Sequence, residues 1–246
     1  MKAFRTALLI LAVWEGAVVV FQLPEFLLPA PSTIAYRLWQ ELQQPYLYQH
    51  IIITAAVSVH GLLNGTVCGV IVAWLFYRVA YLRSSLSWLL TSSQAIPVIA
   101  LAPLFLIWIP ETYWARVSVA TIITFFPIYS ATYTALSRIA PELREVARLN
   151  GATTWQTFRY LECYQALPIV VSGMRTSMAL ATTGAVVGEF LGGRDGLGAF
   201  INIARGLFDT TLVFVAIALL VVITLIMHLF LTVLSKYADS LADGTS

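Results

Sequence analysis

Charged side chains are scarce in this 246-residue sequence: they make up 11% of it, 14 Lys or Arg and 12 Asp or Glu. A soluble domain carries about 25%, so there is too little charge here to cover a soluble globule. Other scarcities exclude particular chemistries. The only lysines are Lys2 and Lys236, at opposite ends, and neither lies in a G-x-x-x-x-G-K-[ST] loop, so the chain has no Walker-type phosphate cradle. His50, His60 and His228 lack the spacing of a metal site, and no G-x-S-x-G nucleophile elbow occurs. No catalytic set and no metal site are therefore expected. Cys68 and Cys163 fall in or beside apolar stretches and imply no disulfide framework. A net charge of +2 argues against a nucleic-acid binder, which would show a clustered basic face.

Apolar residues fill the space that charge leaves, at 59% of the chain with a mean hydropathy of +0.84. At ~20 apolar residues per bilayer crossing, this length allows six or seven helical spans. Six apolar segments can be read, over 6–21, 54–77, 86–109, 117–136, 169–191 and 212–234. They are too long for barrel strands, which predicts a single all-α, polytopic membrane domain over 1–246. The first segment follows Lys2 and Arg5 as a signal peptide would, but Glu15 interrupts it and no small-x-small cleavage site follows, so it reads as an uncleaved span. Placing the N-terminus in the cytoplasm leaves only Arg37, Arg116, Arg194 and Arg205 of the 14 basic residues outside. That satisfies the positive-inside rule and puts both termini, and the segment 138–167, in the cytoplasm.

Within the spans, two glycine ladders are spaced by four: Gly61, Gly65 and Gly69 on the second, Gly184, Gly188 and Gly192 on the fifth. Small residues at this spacing let helix backbones approach closely; packing inside one subunit is the simpler reading, a dimer seam the other. Pro31-Ser32 ahead of Ile34, Leu38 and Leu42, with Tyr36 and Trp39 between them, predicts a capped amphipathic helix at the outer membrane surface. Pro97 and Pro103 interrupt the third span and free backbone carbonyls, which suits a helix lining a cavity. Ser93, Gln94, Tyr129 and Tyr133 add neutral donors and aromatic faces, and they form the candidate solute pathway with Pro97 and Glu189. Intramembrane Glu189 reads either as functional or as a hydrogen-bonded structural carboxylate. Arg175 is expected to snorkel towards the cytoplasm and Glu15 to act structurally.

The most informative stretch is cytoplasmic. Residues 142–150 form a short amphipathic helix with Leu143, Val146 and Leu149 on one face, and Asn150-Gly151 is a helix stop. Thr153 with Gln156 three residues later is a capping box that starts a second helix. Seven charged residues collect here, Arg138, Glu142, Arg144, Glu145, Arg148, Arg159 and Glu162. Such a protrusion suits docking into a partner's groove, and equally a plain structured loop.

Glu145-Val146-Ala147, three residues and Gly151 resemble the E-A-A-x-x-x-G motif of permease subunits of bacterial ABC importers. Leu28-Pro29-Ala30-Pro31-Ser32 is similar to the L-P-x-P-S of the nitrate, sulfonate, taurine and thiamine-precursor group of these permeases. The proline-punctuated run from Gln94 to Leu104, the Pro141-Glu142-Leu143 lead-in, Glu189 with Gly196-Leu197-Gly198, and Ala204-Arg205 with Phe208 continue the likeness over nearly the whole chain. Three departures stand out. The family's I-x-L-P reads Leu161-Glu162-Cys163-Tyr164, although Ala166-Leu167-Pro168 comes after it and is expected to open the fifth span. Gln94 stands where many relatives carry an arginine, and W-F-G-x-G is replaced at Trp108-Ile109-Pro110-Glu111.

The resemblance implies an importer of the bacterial inner membrane. It implies two permease subunits, a homodimer being the simplest expectation, with two cytoplasmic ABC ATPases and an extracytoplasmic solute-binding protein. ATP and Mg would sit on the ATPases, with no cofactor in this chain and no enzymatic activity of its own. Glu145, Val146, Ala147 and Gly151 would make the ATPase contact. The loss of an arginine at Gln94 points to a neutral heterocycle such as a thiamine pyrimidine precursor or a flavin; sulfonate, taurine or nitrate is the alternative. An intramembrane enzyme or an ATPase-independent carrier leaves the glycine-turn motif unexplained.

Overall fold

The computed structural model describes residues 2–79, 81–82, 85, 88, 92 and 97–243, with side chains described from 5 to 236 within those ranges. The order is α1 (Lys2–Val20), α2 (Pro31–Glu41), α3 (Pro45–Arg78), α4 (Val98–Trp108), α5 (Thr112–Arg138) and α6 (Pro141–Leu149). A helical turn Thr154–Gln156 and a π-helical segment Thr157–Glu162 then lead into α7 (Cys163–Gly192), α8 (Leu197–Gly206) and α9 (Thr210–Asp243). No strand occurs among the described residues. Among the described residues, three helices are long and apolar enough to cross a membrane, over Pro45–Arg78, Thr112–Arg138 and Thr210–Lys236. The chain is an all-α polytopic membrane protein.

The glycine ladders build its centre by bringing α3 and α7 close against α5, where the two also touch each other. Gly61 meets Ala120, Gly65 meets Thr124 and Gly69 meets Ile128 and Tyr129, so α3 and α5 run parallel. Gly173 meets Ala131, Gly184 meets Ala120 and Gly188 meets Arg116, so α7 runs antiparallel to α5. A Cβ added at Gly184 would lie 2.6 Å from the Ala120 Cα, and one at Gly188 2.9 Å from the Arg116 Cα. Lipid tails supply no hydrophobic force between helices, so such close dispersion contact, with hydrogen bonds across it, carries the association. One such bond runs from the Thr124 hydroxyl to the Gly61 carbonyl at 3.1 Å.

At one end of this core, α2 packs with α8 and the starts of α3 and α9. Ile34, Leu47, Leu197, Phe200 and Leu212 share one buried cluster, while Tyr36 and Trp39 stay exposed as expected for a surface helix. Arg37 links this layer, 3.2 Å from both Glu41 and Asp209. Ser32 does not cap α2 as its sequence suggests. Ala30 holds the cap position with Pro31 after it, and Ser32 instead donates its backbone N–H (3.0 Å) and hydroxyl (2.7 Å) to the Glu15 carboxylate of α1. Proline already presets the first turn, which frees the serine to bind an acid that favours the positive end of the helix. Glu15 therefore has the structural role expected of it.

Pro97 interrupts the helical run as read: Ser92 before it is helical, Pro97 itself is extended, and α4 starts at Val98 with Pro103 inside it. One proline expectation is corrected. Pro168 does not open a span, because α7 already runs from Cys163 and passes through it. A proline removes one ladder hydrogen bond, and packing of Ala166 and Val170 against Ala135, Leu136 and Ile139 holds the helix across that gap.

Candidate functional site

The protrusion over 141–162 matches its sequence closely. Pro141 starts α6, and Gly151 takes a φ of +72° just past its end. Ala152 N–H donates to the Ala147 carbonyl (3.0 Å) and Gly151 N–H to that of Arg148 (3.1 Å), the double bond of a Schellman stop. The capping box is also formed: Thr153 N–H donates to Gln156 Oε1 at 2.7 Å, and Gln156 N–H to Thr153 Oγ1 at 3.2 Å. No residue of α6 is buried. Glu145 and Gly151 are exposed and Ala147 half-buried, while Val146 and Leu149, at 55% and 82% exposure, leave an apolar face uncovered. The next helix departs from expectation by widening into π geometry over Thr157–Glu162. The segment ends at the Leu161-to-Tyr164 stretch, where the family proline is absent and every residue keeps its N–H.

What fastens α6 is Arg144. Its Nη2 donates to the Leu136 carbonyl (2.7 Å) and its Nη1 to that of Ile139 (3.0 Å), so it satisfies the open end of α5. Its guanidinium lies 4.8 Å from the Tyr77 ring centroid, and its Nε faces the buried Glu162 at 3.4 Å. Glu162 escaped sequence reasoning as a site residue. The usable signal was an acid standing where the family motif fails.

Of the candidate solute-pathway residues, Tyr129 and Tyr133 come together. With Phe125 they form a stacked series on one face of α5, with centroids 6.0 and 6.1 Å apart and planes inclined by 20° and 25°. All three rings are half-buried. Pro97 is exposed at the start of α4. Ser93 and Gln94 lie outside the described residues. Arg175 approaches Ser235 of α9 at 3.5 Å.

Glu189 is fully buried among partners of its own, away from the aromatic series. The Thr54 hydroxyl lies 2.9 and 2.8 Å from its two oxygens, and Gly198 N–H donates to Oε2 at 2.9 Å. Thr54 Oγ1 also accepts from Leu197 N–H at 2.7 Å. The carboxylate and the hydroxyl thus hold the first N–H groups of α8, where negative charge is favoured. Gly196, at φ +101°, lies so close that a side chain there would collide with the carboxylate. The carboxylate is thus hydrogen-bonded within the fold, and this geometry explains why an acid here accompanies Gly196-Leu197-Gly198. Thr54 gave no sequence signal, being one hydroxyl in an apolar run.

Comparison with known proteins agrees with this architecture. Residues 65–239 match the family model described as the binding-protein-dependent transport system inner membrane component. The riboflavin transport system permease protein RibX of Chloroflexus aurantiacus is 44% identical over 231 residues, covering 94% of this chain and 86% of its own length. The formylaminopyrimidine transport permease protein ThiX of Halalkalibacterium halodurans is 35% identical over 213 residues, covering 87% of this chain and 84% of its own. Among solved structures, an inward-facing MetNI methionine ABC transporter chain superposes with a TM-score of 0.70 at 21% identity, covering 78% of this chain and 96% of that one. The chain therefore belongs to the binding-protein-dependent transport system inner membrane component family, and it is a permease subunit of an ABC importer.

Proposed function

We propose that this permease carries a flat, neutral heterocycle of the flavin kind, and that α6 is the helix its ATPases grip. The observation that carries the solute reading is the stacked series Phe125, Tyr129 and Tyr133, which offers aromatic faces along one side of α5. Stacking on an aromatic side chain is worth about 1–3 kcal/mol per heterocyclic base, and its selectivity is for ring shape rather than charge. The 44% identity to RibX, a riboflavin permease by name, supports the same choice. ThiX makes a pyrimidine the second reading.

The expected assembly is that of the family. Two permease copies would form the path, two ATPases would hold ATP and Mg, and a solute-binding protein would deliver solute outside. Both termini and α6 would face the cytoplasm. Glu145, Val146, Ala147 and Gly151 would meet the ATPase, with Leu149 and Val146 burying their exposed apolar face in its groove. ATP-driven closure of the ATPase pair would then displace α6 and tilt the spans between outward- and inward-open states. Uptake by the complete importer of riboflavin, formylaminopyrimidine, taurine and an alkanesulfonate tests the solute. Riboflavin should be taken up and should compete with itself; a strict preference for the anions would overturn the reading.

A further inference from the structure

No residue of α6 is buried, so its polar contacts gain weight in carrying any displacement to the spans. Glu162 supplies one. It lies at the end of the π-helical segment with a fully buried side chain. Its Oε2 accepts from Arg78 Nη2 at 3.0 Å and from Trp74 Nε1 at 3.3 Å, both on the last turns of α3. Its Oε1 faces Arg144 Nε of α6 at 3.4 Å. Three elements therefore meet at one carboxylate: the end of α3, the coupling helix, and the segment that continues into α7.

A buried carboxylate is costly unless paired and hydrogen-bonded, and folding α6 back on itself requires no acid here. The Schellman stop and the capping box are complete without it. Charge-assisted bonds from a planar guanidinium are directional, so they resist relative displacement where a greasy contact would slide. Arg144 is itself fixed at the far side by the carbonyls of Leu136 in α5 and Ile139 just past it, and by the Tyr77 ring. The π segment adds to the effect: one extra residue per turn rotates the downstream helix by roughly 100°. That rotation sets the direction in which residue 162 points.

We propose that Glu162 is a positioning residue that locks the coupling helix to the cytoplasmic ends of α3 and α7. A displacement imposed on α6 then reaches those spans as one rigid movement. The inference rests on the reading of α6 as the ATPase contact.

The test is amide hydrogen exchange on the complete importer with its ATPases in lipid nanodiscs, with and without Mg-ATP. In the wild type, nucleotide should change exchange in α6 and, with it, in 74–78 and 163–170. In Glu162→Gln the response of α6 should persist while that of the two span ends falls by about fivefold or more; Glu162→Asp, which keeps the charge, should retain most of it. Transmission in the Gln variant equal to wild type overturns the proposal, as does an equal loss in Gln and Asp, which would make the site one of packing alone. A wild-type α6 that ignores nucleotide overturns the docking reading, and this inference falls with it. A responding α6 with silent span ends overturns this inference and leaves docking intact. If the Gln variant does not form a monodisperse complex, Arg144→Gln, at a partly exposed side chain, is read by the same criteria.

Discussion

Replacing Thr54 by valine keeps the volume and β-branching of the side chain and removes only its hydroxyl. That hydroxyl is fully buried, lies 2.8 and 2.9 Å from the Glu189 oxygens and accepts the Leu197 N–H at 2.7 Å. The variant loses a hydrogen bond to a carboxylate, worth about 1.5–3 kcal/mol, and leaves a buried N–H without its acceptor. Gly198 still donates to Glu189 at 2.9 Å, so the carboxylate is not stranded, and a net loss of about 2 kcal/mol is expected. At about 2–4 °C per kcal/mol for a chain of this size, the unfolding midpoint should fall by roughly 4–8 °C. The assay is intrinsic tryptophan fluorescence on heating in a fixed detergent, with Thr54→Ser as the control that keeps the hydroxyl. On the reading that Glu189 and Thr54 serve to hold α8, riboflavin affinity of the surviving importer should be unchanged. A Thr54→Val midpoint within about 1 °C of wild type, or an equal fall in the serine variant, would refute the hydrogen-bond argument. A changed solute affinity at normal stability would return Glu189 to the pathway.

Gly151→Val should reduce both ATPase co-purification and uptake. A Cβ at that position meets nothing within 4 Å, so the whole effect comes from the φ of +72°, which costs an L-residue about 1–2 kcal/mol or more; Gly151→Asn should be far milder, and normal uptake in the valine variant would defeat the docking assignment. Gly184→Leu should destabilise the core by at least about 1–3 kcal/mol, because its Cβ would lie 2.6 Å from the Ala120 Cα; a normal melting curve in detergent would contradict the close approach of α5 and α7. Tyr129→Ala and Tyr133→Ala should each lower riboflavin uptake by about fivefold or more, while the phenylalanine variants keep it. Loss in the phenylalanine variants as well would point to the hydroxyls rather than the ring faces.

Much of the fold was legible because its determinants are local or periodic. The Asn150-Gly151 stop and the Thr153–Gln156 capping box each depend on residues within one turn of one another, and both form as read. The ladders at Gly61 and Gly184 signalled close helix approach, though spacing by four could not say that both would close on Ala120 of the same helix. Ser32 misled for a related reason: a serine after a proline reads as a cap, but Glu15, far away in sequence, competes for its hydroxyl. Pro168 misled because a proline's cost is judged locally while the packing that offsets it comes from α5.

By itself the sequence determined that the chain is helical and membrane-embedded, since a chain with so little charge must bury its backbone polar groups within helices in lipid. It also determined where the protrusion between α5 and α7 turns, because a left-handed turn demands glycine. Only the tertiary structure decided the fate of the two acids that are fully buried among the described residues. Glu189 stands near the end of an apolar stretch and Glu162 just before the same one, and neither names its partners in sequence. One is committed to α8 by Thr54 and Gly198, and the other to α3 and α6 by Arg78 and Arg144. A carboxylate's role is set by the donors that surround it after burial, and those donors come from helices the local sequence does not name.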